Sequence, residues 1–317
     1  MLRGSMGSIA VTGSVAYDTI MVFGGRFADH ILSDQAHILN VSFLVDRLEK
    51  RRGGTAANIA YNLALLGERP LLCAAVGGDF AEYGAALSAV GVDTSQALLC
   101  DDVTTATAFI TTDRDDNQIT AFFPGAMARA AGVDLSSLSD VEHVVVAPDA
   151  PDGMELHIKQ SIELRAKLVF APAQQLSSLS DATLIAGLNA AWLVIGNDYE
   201  LEVIHRRTGR DVDSIAASGA LVARTLGGQG SELRIKGAVH TIPIAAAESV
   251  VDPTGAGDAY IAGLLSGLRA GRSADVAGRM AALAATYAVE QQGPQSHRYT
   301  RDEFAARYAS AFGAALA

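Results

Sequence analysis

Short β-branched runs alternate with longer stretches of helical periodicity along the whole chain. Ile9 to Val15 reads as a strand, Thr55 to Leu66 as an Ala-rich helix closed by Gly67, Pro70 to Val76 as a second strand, and Phe80 to Val90 as a helix closed by Gly91. Further strands are expected at Val144 to Val146, Leu168 to Phe170, Trp192 to Ile195 and Ala220 to Ala223, apolar runs of the kind a parallel sheet buries on both faces. This βαβα rhythm predicts a doubly wound α/β sandwich whose ligands sit beyond the C-terminal ends of the strands.

Two regions break the rhythm. Thr19 to Arg52 is one; Thr104 to Pro124 is the other, where Ala108 to Thr112 and Gln118 to Phe122 flank the turn-rich Asp113 to Asn117 as a hairpin would. Segments of about 19–52 and 104–124 therefore predict a small β-lid over a cleft, on a single domain spanning residues 1–317. The stretch from Ala256 to Ala317 reads as helical, interrupted by a breaker cluster at Gln291-Gln292-Gly293-Pro294. Met1 to Met6 has the look of an expression remnant and is set aside.

Composition narrows the class. With 50% hydrophobic and 19% charged residues and a mean hydropathy of +0.23, the 317-residue chain can build a large core and is neither disordered nor fibrous. A net charge of -11 and no basic run longer than Lys50-Arg51-Arg52 count against nucleic acid as a partner. No apolar stretch is long enough to span a membrane and no signal architecture opens the chain, so a cytoplasmic protein without a membrane partner is expected. Cys73 and Cys100 stand far apart in apolar segments, as core residues of a reduced protein would.

The segment Asp252-Pro253-Thr254-Gly255-Ala256-Gly257-Asp258 runs from a small-residue turn into an amphipathic helix. Backbone N–H groups of Gly255, Ala256 and Gly257 at that helix start can receive phosphate oxygens, and Asp258 in the first turn can take a proton from an attacking hydroxyl. An ordinary capped helix, with Asp258 complementing the dipole, fits the same letters. A second segment, Gly53-Gly54-Thr55-Ala56-Ala57-Asn58, offers close backbone approach and a two-way amide to a polyhydroxylated ligand, or else a glycine loop with Asn58 facing solvent.

Together these segments resemble the two signatures of the ribokinase-like (PfkB-type) carbohydrate and nucleoside kinases. Three more landmarks stand in order: Asp18 after the first strand, Asn197-Asp198-Tyr199-Glu200, and Thr225-Leu226-Gly227-Gly228-Gln229-Gly230. The resemblance implies a three-layer ribokinase-like α/β sandwich with a mostly parallel central sheet and a small β-lid. It also implies ATP bound near Asn197, Thr225, Gly227 and Gly230, Mg²⁺ organised near Glu200 and Asn197, and Asp258 as base. Asp252 lies in a loop that holds a monovalent cation such as K⁺ in some relatives, and a homodimer is compatible with the family. Within the family the chain looks closest to bacterial adenosine kinases, which implies that Ser14, Asp18, Gly53, Gly54 and Asn58 hold a nucleoside, that Gln174 and Gln175 approach it, and that Phe122 stacks on its base. Phe122 and Phe123 as plain hairpin hydrophobes are the competing reading.

Two departures stand out. Ala171-Pro172 replaces the subgroup's Asp-Pro, and period 2 sends Phe109 to the face opposite the one an aromatic clamp needs. No Gly-Lys dipeptide exists for a Walker A loop, and no dinucleotide fingerprint or helical His pair occurs. The expected activity is ATP-dependent phosphorylation of the primary hydroxyl of a nucleoside, foremost adenosine. A ribose or fructose kinase, or a weakly active sugar or nucleoside sensor, are the alternatives.

Overall fold

The apolar runs pair into one eight-stranded sheet. Its members are β1 (Ser8–Thr12), β4 (Pro70–Cys73), β9 (Val141–Val146), β10 (Lys167–Phe170), β11 (Ala191–Asn197), β12 (Leu221–Thr225), β13 (Ser231–Ile235) and β14 (Ala238–Ile242). They lie in the order β14-β13-β12-β11-β10-β9-β1-β4, parallel except for β13 and β14. The computed structural model describes residues 7–30 and 40–316; residues 1–6, set aside above, and 31–39 of the first lid segment lie outside the described residues.

Successive side chains of a strand point to opposite faces, and each face is covered by its own helices. Val11, Val145, Val169 and Leu193 pack under α1 (Thr55–Leu65), α2 (Ala81–Val90), α7 (Ala256–Arg269), α8 (Ala274–Val289) and α9 (Arg301–Phe312). Their neighbours Ala10, Val144, Val146, Phe170 and Val194 pack under α3 (Pro151–Glu163), α4 (Asp181–Ala190), α5 (Asp198–Thr208) and α6 (Val212–Ala217). The result is the expected three-layer ribokinase-like α/β sandwich. No helix among the described residues is long and apolar enough to cross a membrane.

The structure corrects several element boundaries. The strand expected from Ile9 to Val15 ends at Thr12, because Gly13 adopts φ 141° and turns the chain out of the sheet. The strand expected from Pro70 to Val76 is two: β4 stays in the main sheet, while β5 (Ala75–Gly77) leaves it to pair with β6 (Leu98–Cys100). The β13–β14 hairpin had no counterpart in the hydrophobic pattern, since only Ser231, Leu233 and Ile242 of its strands are buried. Its turn, Lys236-Gly237, has φ 52° and 79°, the handedness that two-residue hairpins require.

The two irregular regions meet in a separate four-stranded sheet, β3-β2-β7-β8, made of β2 (Ala16–Val22), β3 (Arg47–Gly53), β7 (Ala106–Thr112) and β8 (Gln118–Phe123). It begins at Ala16, earlier than the expected Thr19, so Asp18 stands on its first strand. Asp113 ties the β7–β8 turn together by accepting from the N–H groups of Asp115 and Asn117, and its other oxygen accepts from Phe27 N–H at 2.9 Å. In the register of this sheet Arg51, Asp18, Ala108 and Phe122 form one cross-strand row, so their side chains share a face.

Candidate active site

The site is assembled where α1 and α7 begin, at the C-terminal edge of the central sheet. Gly255 caps α7 with φ 80°, and a side chain there would collide with Pro294. Ala256 N–H is engaged by Pro253 O at 3.2 Å, so the three-amide cradle expected from the sequence is smaller: among the described residues no acceptor faces the N–H of Gly255 or Gly257. A Cβ on Gly257 would meet nothing within 4 Å. Nothing in the protein itself therefore demands a glycine at position 257; the space in front of it is open to an anion at a helix N-terminus.

At the next residue, Asp258 Oδ2 accepts a 2.8 Å hydrogen bond from Nδ2 of Asn58 on α1. Burial raises the Asp258 carboxyl to about 7, against the lowering effect of that bond. Its remaining exposure is toward a cavity of about 540 Å³, where it stands with Ser14, Gly54 and Asn58. Gly54 has φ 92°, and any Cβ on it would press on Ser14 O at 2.6 Å. Ser14 Oγ in turn accepts from Thr55 N–H at 3.1 Å, a capping contact the sequence reading missed.

The opposite wall carries Asp18 and Phe122 from the four-stranded sheet, and the rim carries Gln174 and Gln175 from a short 3-10 turn, Ala173–Ser177. Burial raises the Asp18 carboxyl, opposed by the nearby Arg51 guanidinium. Gly53 is needed for this carboxylate rather than for the cavity wall: a Cβ at position 53 would lie 2.7 Å from Asp18 Oδ2, and its carbonyl accepts from Tyr83 OH at 2.7 Å. As period 2 required, Phe109 stands opposite Ala121, on the other face of the sheet from Phe122. Ala108 faces Phe122 across the strands, so among the described residues one aromatic ring, not two, lines the cavity.

A second cavity, of about 370 Å³, adjoins the first at Gly257. Thr225, Gly227 and Gly230 border it on one side and Ala282, Ala285 and Val289 of α8 on the other. Gly230 has φ 90° and lies so close to Ile242 O that only glycine fits, whereas Gly227 opens onto free space. Apolar walls with small residues, leading to an anion-receptive helix start, suit the base and phosphates of ATP.

Three expected ligands stand differently. Asn197 borders neither cavity: its side chain caps α5 by accepting from Glu200 N–H at 2.8 Å, while Glu200 Oε2 accepts from Asn197 N–H at 2.9 Å. Glu200 itself does reach the first cavity, and burial raises its carboxyl. Asp252 is turned into its own loop, where Oδ1 accepts from Thr254 N–H and Oδ2 from Gly293 N–H, both at 2.9 Å. Burial pushes the Asp252 carboxyl up, and those hydrogen bonds together with Arg51, whose Nη1 lies 3.7 Å from Oδ2, more than offset it. Each oxygen thus accepts one backbone N–H and keeps a further lone pair, with the Arg51 guanidinium beside it. No group of three metal-ligating side chains occurs among the described residues. Glu200, with an oxygen free at the cavity, fits Mg²⁺ in the manner of an ion that keeps its waters and binds mainly through phosphates.

The sequence reading also missed Gln295, which it passed over beside a breaker cluster. Gln295 Nε2 lies 2.8 Å from Asn58 Oδ1 and 2.5 Å from Tyr83 OH. No signal along the chain marks it, because both partners lie more than 200 residues earlier.

Comparisons with known proteins agree with this geometry. Residues 17–301 match the pfkB family carbohydrate kinase model. A nucleoside kinase from Methanothermobacter thermautotrophicus is 30% identical over 301 residues, 93% of this chain and 96% of that protein. The nucleoside kinase of Burkholderia thailandensis solved with inosine is 37% identical, with a TM-score of 0.87 over 97% of this chain and 99% of that one. The same enzyme solved with ADP-inosine is 38% identical, with a TM-score of 0.85 over 97% of each chain. Coverage of both landmarks, the sheet and the site places this chain in the pfkB family of carbohydrate kinases, as a phosphotransferase with an alcohol group as acceptor.

Proposed function

We propose that the protein transfers the γ-phosphoryl group of ATP to the 5′-hydroxyl of a purine nucleoside, with adenosine the leading substrate and AMP and ADP the products. What carries this reading is the convergence of Asp18, Asn58, Phe122 and Asp258 on one cavity that opens at Gly257 onto a second. The relative solved with ADP-inosine supports a nucleoside beside a nucleotide.

In this reading Asp18 accepts hydrogen bonds from ribose hydroxyls as a charged acceptor, with Ser14 and Asn58 beside it. Phe122 offers a π face to the base. Gln174 and Gln175 carry amides that both donate and accept, so a 6-amino and a 6-oxo purine can each be satisfied. Because Asp258 Oδ2 already accepts from Asn58, Oδ1 is the atom left to take the 5′-hydroxyl proton. The N–H groups of Gly255 and Gly257 receive the transferring group, whose loose transition state needs alignment and charge stabilisation more than covalent help. Mg²⁺ bound with ATP supplies the neutralising cation, with Glu200 as its carboxylate. The four-stranded sheet acts as a lid that excludes water from the reacting groups. Two buried, free cysteines fit a reducing cytoplasm.

One aromatic on the cavity face among the described residues, rather than two, favours a broader acceptor range than a clamped purine site would have. ADP release with a panel of adenosine, inosine, pyrimidine nucleosides, ribose and fructose tests the proposal. The purine nucleosides are expected to give the highest kcat/KM; a preference for ribose or fructose rejects the nucleoside assignment.

A further inference from the structure

An asparagine amide has a carbonyl end and an N–H₂ end of the same shape, so something must decide which end Asn58 turns toward Asp258. The hydrogen bonds around it settle the matter from a single fixed point. The carbonyl of Gly53 can only accept, so the proton of Tyr83 OH is committed to it. The Tyr83 oxygen must then accept from its other neighbour, and the group of Gln295 facing it must be the amide nitrogen. That same nitrogen reaches Asn58, which therefore presents its oxygen to Gln295 and its nitrogen to Asp258. Tyr83 is fully buried, so the hydroxyl that anchors this sequence is shielded from bulk solvent.

We propose that Gln295 is a positioning residue: anchored through Tyr83 to the Gly53 carbonyl, it holds the Asn58 amide with an N–H donor, and not a carbonyl oxygen, against the catalytic carboxylate. Without that constraint Asn58 could turn over and set a lone pair against Asp258, which would disfavour the ionised base. The inference rests on the proposed role of Asp258 and names what keeps that group able to accept a proton near neutral pH.

The surroundings leave few other groups to exert this control. Across the cavity the charged side chains among the described residues are Asp18 and Glu200. Helix α1 presents neutral Asn58 and Asn62, and α8 meets α7 through Ala277, Met280 and Ala281. From the 290–297 loop, His297 binds Asn62 Oδ1 through Nε2, and burial holds its pKa down at about 4, so it stays neutral above pH 5. Arg51 and Asp252 pair with each other beside the cavity.

Gln295→Ala and Tyr83→Phe test the inference, the second removing a single oxygen and little volume. Two readouts are taken for each: the acid limb of kcat/KM, and the titration of the Asp258 carboxyl followed by ¹³C NMR, assigned by its absence in Asp258→Asn. Both variants are expected to move the limb and the titration upward together by about half a unit to one unit, the scale of one hydrogen bond to a carboxylate, with nucleoside KM nearly unchanged. Gln295→Glu, which cannot donate, should move both further. If only thermal stability falls and neither readout moves in any variant, Gln295 is a brace for the loop and the inference is wrong. If the NMR titration moves while the kinetic limb stays, the positioning role stands and the base assignment falls.

Discussion

Asn58 and Asp258 are separated by 200 positions in the chain and by 2.8 Å in the fold. Their contact joins the two glycine-bearing helix starts into one site and fixes which carboxylate oxygen is free. Asp258→Asn keeps the shape and removes the base, so kcat should fall by about a hundredfold or more while ATP affinity stays near normal. Turnover comparable to the unmodified protein would reject the role. Steady-state kinetics with ATP titration by calorimetry reads both quantities.

The same carboxyl gives a pH signature. Its pKa is raised by burial from 3.8 to about 7, so kcat/KM should fall below about pH 7 as the base becomes protonated. The linkage sign for stability is the opposite: a raised pKa contributes stability below about pH 4 that is lost as pH rises through 7. Asp258→Asn should therefore gain thermal stability relative to the unmodified protein at pH 8, and the gain should shrink toward pH 4. A gain independent of pH would mean that Asp258 titrates normally.

Two neighbouring glycines should behave differently. Gly257→Val places its side chain in open space, so the melting temperature should hold while kcat/KM for ATP collapses. Gly255→Ala meets both a φ of 80° and Pro294, and should cost about 1–2 kcal/mol of folding stability whatever ligand is present. Thermal melts with and without nucleotide separate a phosphate-approach role from a structural one.

Phe122→Ala should weaken adenosine and inosine by about 1–3 kcal/mol, the scale of base–aromatic stacking, and leave any activity on ribose untouched. Phe109→Ala, on the other face of the sheet, should change neither. Equal effects on nucleosides and free sugars would make Phe122 a packing residue.

Asp18→Ala should lower kcat/KM for every accepted substrate, because the charged acceptor for sugar hydroxyls is lost. Gly53→Ala is expected to reproduce much of that loss, since its methyl would displace the Asp18 carboxylate from 2.7 Å away. Full activity in Gly53→Ala would show that Asp18 does not need that position.

Adding nucleoside should slow amide hydrogen exchange in Arg47–Gly53 and in Ala106–Phe123, the strands that would close over the site. Unchanged exchange in both would mean that the second sheet is a static wall.

The alternating rhythm of apolar runs determined the α/β class by itself, because a strand buried on both faces leaves a continuous hydrophobic run and a helix between strands leaves a 3.6-residue period. Gly54, Gly255 and Asp258 were legible for the same kind of local reason: turns with positive φ and anion-receptive helix starts carry their own residue chemistry. Strand period 2 also placed Phe109 and Phe122 on opposite faces before any fold was known. Other features belonged to the tertiary structure alone. The letters Asn197 to Glu200 suit a ligand set and a capping box alike, and only the path of α5 shows that the box is formed. The letters around Asp252 suit a cation ligand, and only the fold shows that its two oxygens each accept a backbone N–H, from Thr254 and Gly293. Gln295 could not be found by spacing, because its partners Asn58 and Tyr83 lie more than 200 residues earlier and no local period records them. A sequence carries what a residue needs from its neighbours along the chain; which distant polar group completes its hydrogen bonds is decided only when helices from opposite ends of the chain pack side by side.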